Sequence, residues 1–328
     1  MHSSSPYGRH TVEVLGSVPA DTHPPTYYGR PALKPAEWRW LITTYLFTGG
    51  LAGAAQVIAG IVDLLGHRRD RPLVSAARYV ALAGALVSPL LLIADLKTPS
   101  RWYNMIRVFR PTSPMSIGSW TLLAFGSASG LAAAAQIVSD FFDVAWARRA
   151  ARFIGVAAAI SGGVMATYTG SLLSATSTPF WAVAYRWLPA LFGVSGTATA
   201  TALLSLLLER QPGTRRSRRR LEHLALVTSC VELGLTAGVD AQLRRARVRT
   251  PLDEPSLGVA YRFGAVGLGV LAPLVVHGLQ VLTGRDLHAL SRGVAVGALV
   301  GGYTQRAALV MAGKESASRP QDYFRVAR

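Results

Sequence analysis

Three polar side chains interrupt long apolar stretches of this sequence: Tyr45, Asp95 and Tyr168. A phenol donates a hydrogen bond to a carbonyl oxygen, and a carboxyl group gives or takes a proton. At the edge of an apolar pocket, such groups suit the headgroup of a quinone, whose reduction consumes protons as well as electrons. We therefore predict a quinone site in which the tyrosines bind the headgroup and Asp95 transfers the proton.

The same residues also fit an ordinary structural interpretation. Tyrosines are frequent at membrane surfaces, and Asp95 would pair with Arg101 at the end of a helix. The C-terminal end of a helix and the neighbouring Leu92 and Ile93 disfavour an anion at Asp95, whereas Arg101 favours it. A carboxyl group held between opposing influences is typical of acid–base sites, so Arg101 is included in the predicted site.

Four further polar residues lie inside apolar runs. Gln56 and Gln136 are expected to form hydrogen bonds between neighbouring helices. Glu232 and His277 either line a proton path or make a local polar contact, and the sequence favours the contact.

Neither haem nor a metal centre is expected in this chain. The single cysteine, Cys230, lies in an apolar run and is predicted to be buried, and one thiol cannot hold an iron–sulfur cluster. A haem between helices needs facing histidines, but His223, the nearest partner for His277, stands at a helix end. We predict no haem, no iron–sulfur cluster and no metal ion.

The composition indicates a membrane protein. Charged residues make up 16% of the 328 residues, below the roughly 25% of soluble domains. The formal net charge of +17 would suggest nucleic-acid binding in a soluble chain. Here the arginines cluster between apolar runs, where they set topology and contact anionic lipid, so nucleic acid is not a predicted partner.

The apolar runs predict an all-α integral membrane protein with eight spanning helices. Their expected ranges are 39–65, 77–96, 117–141, 150–173, 185–208, 221–240, 257–282 and 287–311.

An even number of spans puts both termini on one face, which we call side A, with Tyr45, Asp95 and Tyr168 near it. The opposite face, side B, carries about fifteen Lys and Arg residues near the helix ends, against about ten in the side A loops. We therefore expect side B to be cytoplasmic and the termini to lie outside a bacterial inner membrane. The side A loops are 97–116, 174–184 and 241–256; the side B loops are 66–76, 142–149, 209–220 and 283–286.

The chain contains an internal repeat with a period of about 80 residues. The segments 40–63 and 120–143 share Trp, Gly, Leu, Gln and Asp in the same register. This predicts a duplicated helical hairpin and two four-helix bundles. The expected division is an extramembrane arm 1–37, an N-terminal bundle 38–184 that holds the quinone site, a C-terminal bundle 185–311 and an extramembrane tail 312–328.

Pairs of glycines four residues apart are expected to let helices pack closely in lipid. Such pairs are Gly49 with Gly53 in the first helix and Gly126 with Gly130 in the third.

The side A loop 97–116 is basic, aromatic and bounded by prolines. Residues of these types are enriched at protein interfaces. We predict that a partner protein docks on Trp102, Tyr103, Arg107 and Arg110, although the loop could instead lie on lipid.

Several segments of the sequence resemble the NrfD/PsrC family. They are YYGRPALKP from Tyr27, YLFTGGLAG from Tyr45, the run from Ser88 to Trp120 that ends in FRPTSPMSIGSW, YTGSLL from Tyr168 and AGKESA from Ala312. Members of this family are the membrane subunits of polysulfide-reductase-type molybdoenzyme complexes.

The resemblance implies two four-helix bundles without haem and a menaquinone-type quinone bound in the N-terminal bundle. It also implies an iron–sulfur partner subunit on the membrane face, which exchanges electrons with a molybdopterin catalytic subunit. The family's pocket positions correspond here to Tyr45, Asp95 and Tyr168. Tyr45 stands where polysulfide reductase carries a histidine, and Asp95 replaces a glutamate.

Two other functions stay open at the level of sequence. Duplicated helices are typical of secondary transporters, although transporters place polar sites near the membrane midplane. A purely structural membrane anchor is the other alternative. The sequence does not name the substrate of a catalytic partner or the direction of electron flow.

Overall fold

The computed structural model describes residues 33–326, and within that range it contains helices and no strands. Eight helices are long and apolar enough to cross a membrane, which confirms the predicted all-α class and number of spans. Most of the predicted arm 1–37, and the motif that begins at Tyr27, lie outside the described residues. The spans are α1 Trp40–Leu65, α2 Arg68–Ala94, α3 Pro114–Phe142, α4 Ala145–Ser174, α5 Leu188–Leu208, α6 Arg215–Arg245, α7 Pro255–Thr283 and α8 His288–Ser318.

Two helices are longer than the sequence indicated. Helix α6 begins at Arg215, so most of the basic cluster expected in the 209–220 loop forms its first turns. Arginine is a good helix former, and its aliphatic stem covers apolar surface while the guanidinium stays in water. Helix α8 continues to Ser318, so the predicted tail begins as helix.

Helix α7 is not uniformly wound. Residues Pro255–Val259 and Ala272–Thr283 are α-helical, whereas Ala260–Leu271 form wider π-helical turns. Pro273 follows directly and has no backbone N–H to donate to the preceding turn. Helices in lipid tolerate such a change because local π-type bonds satisfy the freed carbonyls.

The beginning of α1 and the end of α8 meet on side A. Trp38 lies just before α1, and Trp181 lies in a short helix, Pro179–Val183, between α4 and α5. The two tryptophan rings stack with their centroids 5.2 Å apart. Trp181 Nε1 donates a hydrogen bond to the Leu309 carbonyl at 2.8 Å, and Lys314 Nζ donates to the Trp38 carbonyl at 3.0 Å. Both ends of the membrane region are therefore joined on one face, as an even number of spans requires.

Three connections meet on side B around Asp70, which follows α1. Asp70 accepts hydrogen bonds from Ser217 Oγ at 2.8 Å and from Arg220 Nη1 at 2.6 Å, both at the start of α6. Arg215 donates to Asp286, between α7 and α8, at 2.7 Å. These bonds confirm that the α1–α2, α5–α6 and α7–α8 connections share a face.

Helix α1 lies at the centre of the structure. In the most apolar 18-residue stretch of α1, 72% of the residues are buried, whereas the corresponding share in α2, α3 and α6 is 28%. Helix α1 packs on α2 and α4, and also on α5 and α8 from the second half of the chain. Because one hydrophobic core crosses from residues of the first half to residues of the second, the division into two bundles stays a prediction.

The glycine prediction is right for α1 and wrong for α3. A Cβ atom added at Gly162 would lie 2.7 Å from the Gly53 carbonyl oxygen, so α1 and α4 approach closely there. A Cβ atom added at Gly126 or Gly130 would meet nothing within 4 Å. Those two glycines leave open space instead of filling a helix contact.

Sidedness can be tested with single cysteines in a Cys230→Ser background. Ser100 and Gln211 are both exposed, in the α2–α3 and α5–α6 connections. We expect a membrane-impermeant thiol reagent to label Ser100→Cys in intact cells, and Gln211→Cys only after permeabilisation, because the arginine distribution predicts that side B is cytoplasmic. Equal labelling of both variants in intact cells would contradict the topology.

Candidate functional site

The connection between α2 and α3, residues 95–113, covers the side A end of this helix pair. It contains two short helical turns, Pro99–Arg101 and Asn104–Arg107, and then a bend at Val108 and a turn at residues 111–112. The prolines at 99 and 114 fit the first turns of helices, where a missing N–H costs nothing. The connection is therefore folded, with a fixed position over the membrane region.

Two serines attach the connection to the start of α3. Ser113 caps the helix by accepting a hydrogen bond from Ser116 N. Ser116 Oγ accepts from Arg110 N at 2.9 Å and donates to the Val108 carbonyl at 3.2 Å. The Phe109 ring meets the Trp120 ring edge-on at 5.9 Å. The distinctive run from Phe109 to Trp120 thus builds the anchor of the connection.

Beneath the connection lies an apolar cavity of about 350 Å³, between α2 and α3. Leu86 and Leu123 line it and are also exposed, at 61% and 41%, so the cavity opens at the outer, lipid-facing surface of the helices. Its lining residues are Leu82, Ala85, Leu86, Pro89, Leu92, Ile93, Trp102, Met105, Ile106, Ser119, Leu122, Leu123, Gly126, Ser127 and Gly130.

The open glycines of α3 explain why this cavity exists. Gly126 and Gly130 both line it, and neither has a neighbouring atom where a side chain would stand. Larger residues at these positions would fill the volume between α2 and α3. The two glycines of α3 therefore keep the space between α2 and α3 open.

Tyr45 and Tyr168 lie behind the cavity wall. Tyr45 is 2% exposed and belongs to the same apolar cluster as Ala85 and Leu122, two residues of the lining. Tyr168 is 7% exposed and faces Tyr45 from α4. The structure thus brings the two predicted tyrosines together, although neither forms part of the lining.

The hydroxyl of Tyr168 has a partner in the protein. It donates a hydrogen bond to the Pro114 carbonyl at the start of α3. Its ring lies against Gly118, where any side chain would overlap it. Tyr168 therefore fixes the position of α3 relative to α4 and keeps lone pairs free to accept a further bond.

Asp95 lies at the end of α2, where it faces side A and does not belong to the cavity lining. It lines a surface groove with residues 34–39 and Lys97. Arg39 Nε lies 3.5 Å from Asp95 Oδ1, which is a charge contact but not a hydrogen bond. The ion pair expected with Arg101 is therefore corrected, because Arg101 lies in an exposed turn and the cation beside Asp95 is Arg39.

The remaining charges of the groove neutralise one another. Glu37 contacts Lys34 at 2.8 Å and Lys97 at 3.1 Å. The hydrogen bonds from Lys34 and Lys97, together with their charges, lower the pKa of Glu37 to about 2. Glu37 thus stays anionic. Asp95 differs from it in burial, because the Asp95 side chain is 15% exposed and that of Glu37 is 55% exposed.

The predicted docking residues face side A, but they divide into two kinds. Tyr103, Arg107 and Arg110 are exposed on the connection. Trp102 is 44% exposed and also forms part of the cavity lining. A partner that covers this connection would therefore lie against one wall of the cavity.

The sequence analysis overlooked the most deeply buried charges. Arg306 in α8 is 0% exposed, and Arg78 in α2 is 2% exposed and bonds Asp63 at 2.7 Å. A charged residue in the middle of an apolar run was the available signal. Gln136 accepts a bond from Arg78, which confirms its predicted role between helices. The same prediction is wrong for Gln56, whose buried amide has no hydrogen-bond partner among the described residues.

Two predictions about possible metal ligands can be compared with the described residues. Within residues 33–326, no group of three or more His, Cys, Asp or Glu side chains is arranged to hold a metal ion. Cys230 is exposed on α6, so its predicted burial is wrong. A lone apolar residue in a helix run does not reveal which face it occupies.

Eight membrane-length helices with an apolar cavity under one face define a multi-pass membrane protein. The family model described as "Polysulphide reductase, NrfD" matches residues 32–316, and the protein belongs to that family. Among curated proteins it is similar to the C subunit of the polysulfide reductase of Wolinella succinogenes, with 30% identity over 95 residues. That match covers 27% of this protein and 29% of the relative, so it spans less than a third of either one.

A matched pair of alanine variants on α3 tests the packing around the cavity. Gly118→Ala should destabilise the protein by about 1–3 kcal/mol, because the new methyl group overlaps the Tyr168 ring. Gly126→Ala should leave stability unchanged, since its methyl group enters open space. Thermal unfolding of the purified chain in detergent measures both. Equal loss of stability in the two variants would contradict the described cavity.

Proposed function

We propose that this chain is the quinone-reactive membrane subunit of a respiratory molybdopterin oxidoreductase complex. It would exchange electrons between a menaquinone-type quinone and an iron–sulfur partner subunit on side A. The observation that carries the proposal is the lipid-open apolar cavity beneath the 95–113 connection. Membership of the NrfD family supports the coarser statement, that of a membrane subunit of a reductase complex.

The cavity suits an apolar ligand that arrives through the bilayer. Its volume of about 350 Å³ falls within the range of small-molecule sites. Its lining is almost entirely aliphatic or aromatic, and it opens between Leu86 and Leu123 on the lipid-facing surface. A quinone ring with part of its prenyl tail can enter there without crossing water.

Asp95 would supply the proton step at the side A end of this cavity. It follows the lining residues Leu92 and Ile93 by less than one helical turn and faces an aqueous groove. Reduction of the quinone adds two electrons and two protons to its two carbonyl oxygens. Asp95 would pass protons from the groove to a quinone oxygen, or take them from a quinol in the reverse direction.

Tyr45 and Tyr168 would act at the inner wall. Tyr45 would donate a hydrogen bond to the headgroup, as first predicted, but its side chain must first move into the cavity from behind the wall. Tyr168 donates to the Pro114 carbonyl, so it must exchange that bond to donate to the ligand. Arg39 takes over the electrostatic role assigned to Arg101, because Arg39 is the cation beside Asp95.

The iron–sulfur partner would dock on the connection above the cavity. The exposed residues Tyr103, Arg107 and Arg110 offer aromatic surface and positive charge there. Trp102 joins that surface to the cavity wall, which would bring the partner's nearest cluster close to the quinone. The partner would in turn exchange electrons with the molybdopterin catalytic subunit. We propose a bacterial inner-membrane location with the termini on the outer face.

One observation favours a transporter as the second candidate. Glu232 and Arg306 lie buried near the middle of the membrane region, where transporters bind their substrates. No cavity of substrate size surrounds them in the described residues, and the larger apolar cavity lies elsewhere. A purely structural anchor would keep the partners attached but would show no quinone turnover.

Docking can be tested by charge reversal. Arg107→Glu combined with Arg110→Glu should release the soluble subunits at lower salt than the wild type, because rim charges govern association. The control is Arg186→Glu with Arg245→Glu, an equal charge change on exposed side A residues outside the connection. Co-purification at increasing salt is the measurement. A double variant that retains its partners like the control would assign the connection to lipid.

The proton role is tested by Asp95→Asn, which keeps the shape and removes the exchangeable proton. Quinone-linked turnover of the purified complex should fall by about 10²-fold or more, the usual scale for loss of a general acid or base. Activity of the catalytic subunit with an artificial dye should not change. Asp143→Asn, at an exposed side B carboxylate, is the matched control. Wild-type quinone turnover in Asp95→Asn would make Asp95 a structural helix-end residue.

A further inference from the structure

A second polar site lies far from the proposed quinone cavity, in the middle of α5, α6 and α8. Glu232 of α6 is 3% exposed, and Gln305 and Arg306 of α8 are 2% and 0% exposed. Ser195 of α5 completes the group and is 1% exposed. Charged groups at this depth are costly and mark functional sites by default.

Hydrogen bonds join the four side chains in two pairs. Gln305 Nε2 donates to Glu232 Oε1 at 3.0 Å, and Arg306 Nη1 donates to Ser195 Oγ at 3.1 Å. The Ser195 hydroxyl also lies close to the Glu232 carboxyl group. Ser195 therefore stands between the guanidinium and the carboxyl group, which make no direct hydrogen bond to each other within residues 33–326.

Arg306 keeps its partners whether or not Glu232 is charged. Its guanidinium donates to the carbonyl oxygens of Gly302 at 2.8 Å and of Leu46 and Phe192 at 3.3 Å. It also lies over the rings of Phe47 and Phe192. Protonation of Glu232 therefore removes none of these bonds of Arg306, whereas a directly bonded ion pair would resist protonation.

A narrow cavity leads from side B toward this site. It holds about 40 Å³, room for a few water molecules, and lies between α5, α6, α7 and α8. Glu222, His277 and His288 line its outer part, and Ser229 lines it one helical turn from Glu232. His277 is held by Gln280 at 2.9 Å. Water in this cavity would bring protons to within one turn of the buried carboxyl group.

Polar groups continue from Glu232 toward side A. Thr236 stands one turn further along α6, and its buried hydroxyl has no hydrogen-bond partner among the described residues. Tyr261 of α7 is 4% exposed and belongs to the same buried cluster as Val239 and Leu243, which lie on α6 beyond Thr236. Asp240 bonds Arg249 and Arg244 near the side A end of α6.

The spacing on α6 puts these groups on one helix face. Glu222, Ser229, Glu232, Thr236 and Asp240 follow one another at intervals of seven, three, four and four residues, which is the helical repeat. The distance along the helix is roughly 27 Å, close to the roughly 30 Å thickness of the hydrocarbon core. The line of polar groups therefore extends across most of the membrane.

We propose that this face of α6 is a proton-transfer path across the membrane, with Glu232 as the relay carboxyl group. A proton from water in the side B cavity binds the Glu232 carboxylate, and Thr236 and Tyr261 pass it on to Asp240. No electron moves, and each transfer breaks one O–H bond as it forms another. The free energy that drives this proton transfer would come from the quinone reaction, so this inference rests on the proposed quinone function.

A direct contact links the path to the proposed quinone site. Arg306 binds the Leu46 carbonyl, and Leu46 adjoins Tyr45 on α1. A shift of α1 on quinone reduction would change the distance between Arg306 and Ser195, and with it the proton affinity of Glu232. Arg306 of α8 and Tyr261 of α7 are the charged or titratable groups near the relay on the neighbouring helices, and Asp240 lies two turns away on α6.

A quinone-independent readout tests the relay itself. Infrared difference spectra of the purified wild-type chain between acid and alkaline pH should contain a carboxyl C=O band that shifts in deuterium oxide. The band should be missing in Glu232→Gln and retained in the control Glu315→Gln, a partly exposed side A residue. A wild-type spectrum that matches that of Glu232→Gln would overturn the proposal.

Vectorial transfer is measured with the native complex in liposomes that contain a pH-sensitive dye. In Glu232→Gln, proton movement during quinone turnover should fall by about 10²-fold, while turnover in the presence of an uncoupler should match the wild type. Thr236→Val, which preserves shape, should slow proton movement if Glu232→Gln fails to assemble. Unchanged proton movement in these variants overturns the path. Absent quinone turnover in the wild type, with the infrared band present, refutes the quinone function alone.

Discussion

The arrangement of this protein depends on the central position of α1. Lipid offers no hydrogen bonds and little hydrophobic drive between helices, so close packing must hold them together. Gly53 meets Gly162 of α4, and the missing side chain at Gly50 leaves room for the Arg306 guanidinium. Through these contacts one helix touches both halves of the chain. Tyr45 and the Leu46 carbonyl, which serve the two proposed sites, are therefore neighbours on the same helix.

The two proposed sites solve different physical problems. The cavity between α2 and α3 is apolar, open to lipid and kept empty by glycines, as an apolar ligand requires. The path along α6 is polar, narrow and enclosed by four helices, as a small charged species requires. A proton gains little from an apolar cavity, and a quinone cannot enter a space of about 40 Å³. Their separation in space would allow electron chemistry and proton movement to be linked without sharing atoms.

The burial of Arg306 carries a free-energy cost, and the contacts of its guanidinium offset that cost. An unpaired guanidinium in a low-dielectric interior is strongly unfavourable. Arg306 avoids that penalty through backbone carbonyls from three helices and two aromatic rings, instead of through a bonded carboxylate. This leaves Glu232 with a partner, Gln305, that can stay in place as the carboxyl group changes its charge.

The sequence alone determined the eight spans and the shared side of the two ends of the membrane region. These follow from hydropathy, which is a property of single segments. The segment from Phe109 to Trp120 stood out only by its resemblance to a family, and the structure showed that it anchors the α2–α3 connection. Only the tertiary structure decided that Gly126 and Gly130 enclose a cavity instead of a helix contact, and that Arg39 replaces Arg101 beside Asp95. The same holds for the meeting of Glu232 with Gln305. Each depends on the rotation and distance of helices far apart in the chain, which apolar periodicity does not specify because lipid and protein neighbours are equally apolar.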